Sequence, residues 1–366
     1  MSWTEGSMKA LSSRGGTVIL FGLQLWRRSA RGWSWPAGRC AVLVSLLGIQ
    51  LGTCVEAEER GRETAGESGE LVGVYEPSGV QQLPDGRLLI VEDEARSPFA
   101  LLTFDRKGEQ TIRRLRLGPS FARQLQLEDL EGIAPGEDGY IYAITSHSRK
   151  RTGKREASRE RLVRLKVVGD RLTELAVTGG LRDQIVGRLK SLGSSARGLF
   201  GLNIEGLAFD PVGNRLVIGL RSPLVSGRAV LLTIAEPAKA FAQGTPPLLA
   251  PEHWLLDLDG GGIRGLAYDP HLQGLLILSR REGQKGKRPF KLWLWRGGQE
   301  VAPRRLRLGS AADLDAAEGV TPVRIGDRDG ILIVRDDGSA VQRKAAHFVL
   351  LSYPSLPLSA PGVPTP

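Results

Sequence analysis

Residues Glu205–Pro211 read EGLAFDP, and residues Arg264–Pro270 read RGLAYDP. Near-identity between two separate stretches marks an internal repeat, and a repeat decides the architecture before any single strand is assigned. Shortened to a polar residue, glycine, then valine, isoleucine or leucine, the pattern also occurs at Ser78-Gly79-Val80, Glu131-Gly132-Ile133 and Glu318-Gly319-Val320. The chain therefore carries five copies.

Each copy leads through a turn into an apolar run of β type: RLLIV at 87–91, YIYAI at 140–144, RLVIGL at 215–220, GLLIL at 274–278 and GILIV at 330–334. Asp85-Gly86, Asp138-Gly139, Gly213-Asn214 and Asp329-Gly330 supply turn chemistry that tolerates positive φ. A third strand is predicted at 99–104, 161–167, 229–234, 290–295 and 347–353, and a fourth at 111–117, 172–177, 254–258 and 304–308. The fifth unit lacks a fourth strand, while a spare strand, Leu71–Tyr75, stands before the first. Pairing that strand into the last unit closes a ring. The predicted fold is all-β, a β-propeller of five four-stranded blades, which leaves only short protected edges. A sixth blade within 179–203 or 237–253 and a pair of stacked β domains are the competing arrangements. Helical spacing over Leu181–Leu192 (LRDQIVGRLKSL) instead predicts a short helical insertion there.

With 366 residues, 41% hydrophobic and 25% charged, the chain has ordinary globular composition. Its 47 glycines and 21 prolines favour turns and short strands over long helices. The net charge of +10 favours anionic partners, and its even spread, without a Lys/Arg block, argues against nucleic acid. Both cysteines, Cys40 and Cys54, lie near the N-terminus, so the body can form neither a disulfide framework nor a thiolate metal site.

Arg27, Arg28, Arg31 and Arg39 precede the apolar run CAVLVSLLGIQL at 40–51, the layout of a secretory signal. Val55-Glu56-Ala57 offers a cleavage pattern that would start the mature chain near Glu58. A spanning helix needs about 20 apolar residues, more than this run provides, although a retained anchor helix is the alternative. Leu51-Gly52-Thr53-Cys54 also resembles a lipobox that would anchor the chain through Cys54. The expected order is a targeting segment over 1–57, a disordered leader over 58–70, the propeller over 71–353 and a loose Pro-rich tail over 354–366. The expected location is exported, periplasmic or secreted, and the mature chain is expected to be a monomer with no membrane span.

The phrases Asp129-Leu130-Glu131-Gly132-Ile133, Asn203-Ile204-Glu205-Gly206-Leu207, Gly219-Leu220-Arg221-Ser222-Pro223 and Ile263-Arg264-Gly265-Leu266 resemble a bacterial domain-of-unknown-function family, number 3616. More distantly they resemble the phytase-related esterase-like propellers. The resemblance spans roughly Val74 to Pro354 and implies a propeller with no assigned function, so it carries over no catalytic residue.

In a propeller the start of the innermost strand and the end of the second share one face. That geometry predicts a ring of Ser78, Glu131, Glu205, Arg264 and Glu318 near the axis, with Glu76, Asp129 and Asn203 just before it. A wider ring follows from Glu92, Asp93, Glu94, Ser146, His147, Arg221, Arg280, Arg281, Asp336 and Asp337. The candidate ligand-binding set is Ser78, Glu131, Glu205, Arg264, Glu318, Asp129, Asn203, Arg221, Arg280 and Asp336. Like charges sharing a site raise one another's pKa or demand a counter-cation. Arg264 answers one neighbour, and Ca²⁺ or a similar hard cation on Glu131, Glu205 and Glu318 is the candidate metal site. The bland alternative is that each glutamate caps backbone N–H groups and holds its blade.

Loops on the same face carry Arg149, Lys150, Arg151, Lys154, Arg155, Arg228, Lys285, Lys287 and Arg288, which predicts a basic rim above an acidic floor. Four histidines without an HExxH motif, no GxSxG elbow and no phosphate-binding glycine loop leave zinc, serine-esterase and dinucleotide chemistry without their usual settings. Three readings follow: a propeller binding a polar or anionic ligand or envelope component, a metal-dependent phosphoester hydrolase of phytase-like type, and a structural envelope scaffold. Whether the chain is an enzyme is left open.

Overall fold

The computed structural model describes residues 66–353 and 356, apart from 93–96, 106–107, 125–126, 283–289, 299–300, 309–312 and the side chains of 122–124. The targeting segment with Cys40 and Cys54 and most of the tail lie outside the described residues. No described helix is long and apolar enough to cross a membrane.

Strand β1 (Glu67–Leu71) comes first, and four strands then build each blade in chain order. Blade one holds β2 (Pro77–Gln82), β3 (Leu88–Glu92), β4 (Phe99–Phe104) and β5 (Gln110–Arg114). Helix α1 (Pro119–Gln124) leads to blade two, with β6 (Leu130–Pro135), β7 (Tyr140–Thr145), β8 (Leu162–Val168) and β9 (Arg171–Thr178). Helices α2 (Leu181–Ser191) and α3 (Ala196–Phe200) precede blade three, which has β10 (Asn203–Asp210), β11 (Arg215–Ser222), β12 (Ala229–Ala235), α4 (Pro237–Gln243) and β13 (Leu249–Leu256). Blade four is β14 (Gly262–Asp269), β15 (Gly274–Arg280), β16 (Phe290–Trp295) and β17 (Arg304–Leu306). Blade five has β18 (Ala317–Ile325), β19 (Arg328–Arg335) and β20 (Ala346–Ser352), and β1 completes it.

Every sheet is four-stranded and antiparallel, four of them meanders and the fifth ordered β1-β20-β19-β18, and the five stand in a ring. Neither region weighed for a sixth blade forms one. The first holds α2 and α3; the second holds α4 and part of β13. The helical insertion is present, and its Leu181, Ile185 and Leu189, spaced one turn apart, are all fully buried between blades two and three.

The second strands show why their apolar runs are unbroken. Alternate residues of one strand point to opposite faces, and both faces of a blade are covered by neighbours. Leu89 and Val91 enter the core shared with blade two, whereas Leu88 and Ile90 enter the core shared with blade five. Ile331 and Ile333 face blade four while Leu332 and Val334 face blade one. The apolar core is thus five clusters, one per interface between blades. Trp254 and Trp295 meet edge to face at 5.2 Å, and Trp293 and Trp295 are buried between blades three and four.

The recurring glycine is required by the approach of one inner strand to the next. A Cβ on Gly132 would lie 2.7 Å from Leu207 Cβ, and one on Gly319 would lie 2.9 Å from Gly79 Cα. The equivalent glycines meet the following blade in the same way, and the blade-five copy meets blade one, so the contacts run once around the axis.

Closure differs in register from the sequence reading. The closing strand is Glu67–Leu71, paired from Glu67↔Leu350 to Leu71↔Ala346, so it begins four residues before the expected Leu71 and takes four of its five residues from the expected leader. Residues 72–76 form a connector held by a buried carboxylate that the sequence did not reveal. Glu92 accepts from Tyr75 N at 2.8 Å and is ion-paired with Arg114, whose Nη2 donates to Gly73 O at 2.8 Å. At the other end of the same two inner strands, Gln82 Nε2 donates to Arg324 O at 2.9 Å and Gln82 Oε1 accepts from Arg324 N at 2.8 Å.

Gly319→Ala should cost about 1–3 kcal/mol through forced overlap of two backbones. Gly187→Ala, in α2 with nothing near its Cβ, should add about 0.5–1 kcal/mol. Urea unfolding of both variants checks this; equal midpoints would contradict it.

Candidate functional site

Register pairs Pro77↔Glu92, Leu130↔Thr145, Asn203↔Ser222, Gly262↔Arg280 and Ala317↔Arg335 place the start of each inner strand beside the end of its second strand. The two predicted rings therefore share one face. In all five blades the ladder also slips at the same place, between Pro77 and Gly79, Leu130 and Gly132, Ile204 and Gly206, Ile263 and Gly265, and Ala317 and Gly319. Ser78, Glu131, Glu205, Arg264 and Glu318 are the extra residues of five β-bulges. A bulge re-aims its side chain, here toward the other inner strands.

Three of these residues form one buried ionic network. Arg264 donates through Nη1 to Glu205 at 3.2 Å and through Nη2 to Glu318. Arg221 Nη1 adds a second cation to Glu205 at 2.7 Å, and Asn203 Nδ2 donates to the same carboxylate at 3.0 Å. Arg221 reaches outward to Glu282 at 2.9 Å. Glu205, Arg264 and Glu318 are all buried. Burial holds the Glu205 carboxyl above its usual range despite Arg264 and Arg221, and burial likewise lowers Arg264. Both shifts show charges that have given up water for each other.

The other predicted residues occupy distinct places. Ser78 Oγ donates to Leu130 O at 2.5 Å, tying blade one to blade two. Glu131, half-buried, faces the same enclosed space as Glu205 and Glu318. Asp129 accepts from Ser148 Oγ at 2.9 Å and pairs with Arg159 at 3.0 Å, and the Ser146 hydroxyl also donates to it. Arg280 lies with its guanidinium 5.1 Å from the Phe290 ring centre. Asp336 is exposed at the lip, and its carboxyl is held above the ordinary range, first by partial desolvation and then by Glu76. The cavity between the inner strands at the level of the glutamates is only about 10 Å³. Pockets for organic ligands are roughly 300 Å³ or more, so such a ligand would sit over the ring at the mouth.

The cation that meets Glu205 and Glu318 is Arg264, and among the described residues no three His, Cys, Asp or Glu side chains form a metal-holding group. The blade-two rim is basic in sequence but answered in space: Lys150 pairs with Glu128 and Glu156, Lys154 with Glu156, and Arg155 with Glu160 and Asp183. Arg149 lies over Phe200 at 4.9 Å. Sequence reasoning missed Arg159, Glu282 and Arg114, whose roles come from loop and cross-strand placement that no repeat position signals.

His147 is one of the residues of the predicted wider ring. It is fully buried, its Nδ1 lies 2.8 Å from Thr145 O, and Arg182 donates to its carbonyl. Burial pushes its pKa down to about 4.

Residues 182–352 match the model of a family described as a protein of unknown function (DUF3616). No curated protein matches the sequence. Similar solved structures include one described as a glucose dehydrogenase-type oxidoreductase from Thermus thermophilus, with 18% identity, TM-score 0.40, and coverage of 78% of this chain and 100% of that one. Another is the PQQ-bound aldose sugar dehydrogenase of Streptomyces coelicolor, with 17% identity, TM-score 0.39, and coverage of 79% and 98%. The major allergen Mala s 1 of Malassezia sympodialis shows 9% identity, TM-score 0.42, and coverage of 78% and 94%. These comparisons do not show the phytase-related likeness.

Arg264→Met takes the arginine from buried Glu318, leaves buried Glu205 with Arg221 alone, and should cost about 3–5 kcal/mol in denaturant unfolding. A loss below about 1 kcal/mol would mean that the network carries little of the structure. His147 gives a pH test. The unfolded side chain takes its proton near pH 6.5 and the native one near 4. Stability should therefore be full above 6.5 and fall by roughly 3 kcal/mol as pH drops through that window. His147→Gln should flatten that part of the curve; an unchanged slope would contradict the assignment.

Proposed function

We propose that the protein is an exported ligand-binding propeller whose mouth, over the Arg264 network, receives a small polar or anionic ligand. One observation carries this reading. The charged centre retains unmade hydrogen bonds: Arg264 Nε, Asn203 Oδ1 and Arg280 Nε are shielded from solvent and have no hydrogen-bond partner. Buried polar groups are normally satisfied, and a cluster of exceptions at the convergence of five strands is costly unless something answers it. A ring of strand caps would not need Arg264 in place of glutamate in one blade. The hydrolase reading would require a metal at glutamates that already hold an arginine, so binding is the better supported of the two. The arginine-led N-terminal segment favours the periplasm or the cell exterior as its location.

Thermal melting of the full chain with inorganic phosphate, a sugar phosphate, a dicarboxylate or CaCl₂ tests the reading. At least one anion should raise the midpoint by a few degrees, and Arg280→Gln should lose that rise; a ligand present at about 100 times its Kd contributes about 2.7 kcal/mol. Melting that no anion moves, or a rise unchanged in Arg280→Gln, would contradict it.

A further inference from the structure

The charges at the mouth divide into those already answered and those that are not. Arg221 is shared by Glu205 and Glu282, Arg159 holds Asp129, Arg335 holds Asp313 and Asp337, and Arg114 holds Glu92. Two sets are left over among the described residues. On blade four, Arg280 at the end of β15 and the exposed Arg281 beside it have no carboxylate partner. On blade five, next to blade four, Asp336 follows β19 directly, and on blade one Glu76 precedes β2; neither has a basic partner among the described residues.

Both sets belong to one site. Arg280 pairs in register with Gly262 at the start of β14, and Asp336 N donates to Ala316 O at 2.7 Å, just before β18. Each therefore stands at the mouth end of its blade. Arg264 feels the charge of Arg280, and Asp336 feels those of Arg264 and Glu76, so the positive and the negative set both lie within reach of the buried network. An independent observation points to a ligand at the same place. Arg264 is more than nine-tenths buried, yet its Nε lacks a hydrogen-bond partner. Arg280 is also prepared for contact, because Phe290 lies against its guanidinium and limits the orientations it loses on binding.

We infer that the mouth selects a small zwitterion of the amino-acid kind, whose acid group docks on Arg280 and whose ammonium docks on Asp336 and Glu76. The inference rests on the reading of the mouth as a ligand site and narrows it. A ligand bearing only negative charge would satisfy blade four but face the two carboxylates. A bare amine would meet the reverse. A molecule with both ends answers both sets and brings no net charge into a partly desolvated site, where an unpaired charge is costly.

Isothermal titration of the full chain with 4-aminobutyrate, glutamate and lysine, beside the one-charge analogues butyrate and butylamine, tests this. At least one amino acid should bind, with butyrate and butylamine each weaker by about ten-fold or more. Arg280→Gln should weaken the amino acid and leave butylamine unchanged, while Asp336→Asn should weaken the amino acid and leave butyrate unchanged; Glu76→Gln replaces the latter variant should it fail to fold. If butyrate or phosphate binds as tightly as the amino acids, if Asp336→Asn and Glu76→Gln change nothing, or if anions of the melting panel bind and no amino acid does, the inference is overturned while the mouth remains a ligand site. If none of these compounds binds, both readings fall.

Discussion

The structure depends on how closely five inner strands approach one axis. At each step a glycine of one blade abuts the repeat of the next, and the last contact is glycine against glycine, Gly319 on Gly79. No side chain fits there. The distance between blades follows from this contact, and with it the width of the channel, the interdigitation of the five interface clusters and the place where the preceding residue emerges. Because that preceding residue is the extra residue of a bulge, the same local feature that brings the strands together also turns a polar side chain toward the centre.

That geometry explains why one arginine stands among glutamates. Three like charges at equivalent positions around a narrow channel would be strongly unfavourable. With Arg264 in the fourth position, its planar fork reaches the third and fifth blades at once, a span that a lysine's point charge would not bridge in the same way. Buried ion pairs are weak evidence of net stability, because desolvation offsets much of the attraction. Their better attested role is to fix register, and here the network ties together blades whose contacting residues are 54 and 59 positions apart in the chain. The remaining charges at the lip are then free to meet something else.

The architecture was legible because repetition writes it into the sequence five times. The polar-Gly-aliphatic triplets gave the inner strands, and the apolar runs gave the second strands, because both faces of each blade are buried. The membership of the central ring, Ser78, Glu131, Glu205, Arg264 and Glu318, could be read from the same register. What could not be read lies where the repeat is silent. The closing strand was displaced by four residues because Glu67–Leu71 (ESGEL) lacks the apolar signature of an inner strand and is held by pairing with β20. The clamp of Glu92 on Arg114 and the pairing of Lys150 and Lys154 with Glu128 and Glu156 depend on side-chain placement in three dimensions. For that reason the blade-two part of the rim, basic by composition, is largely neutral in structure.

A double-mutant cycle between Arg264 and Glu318, using Arg264→Met, Glu318→Gln and the pair, bears most directly on the convergence of distant repeats on one axis. Residues in direct contact couple, whereas distant ones add to within about 0.5 kcal/mol. The account predicts a coupling free energy of about 2 kcal/mol or more from denaturant unfolding. Additive losses would place the two side chains apart and contradict it.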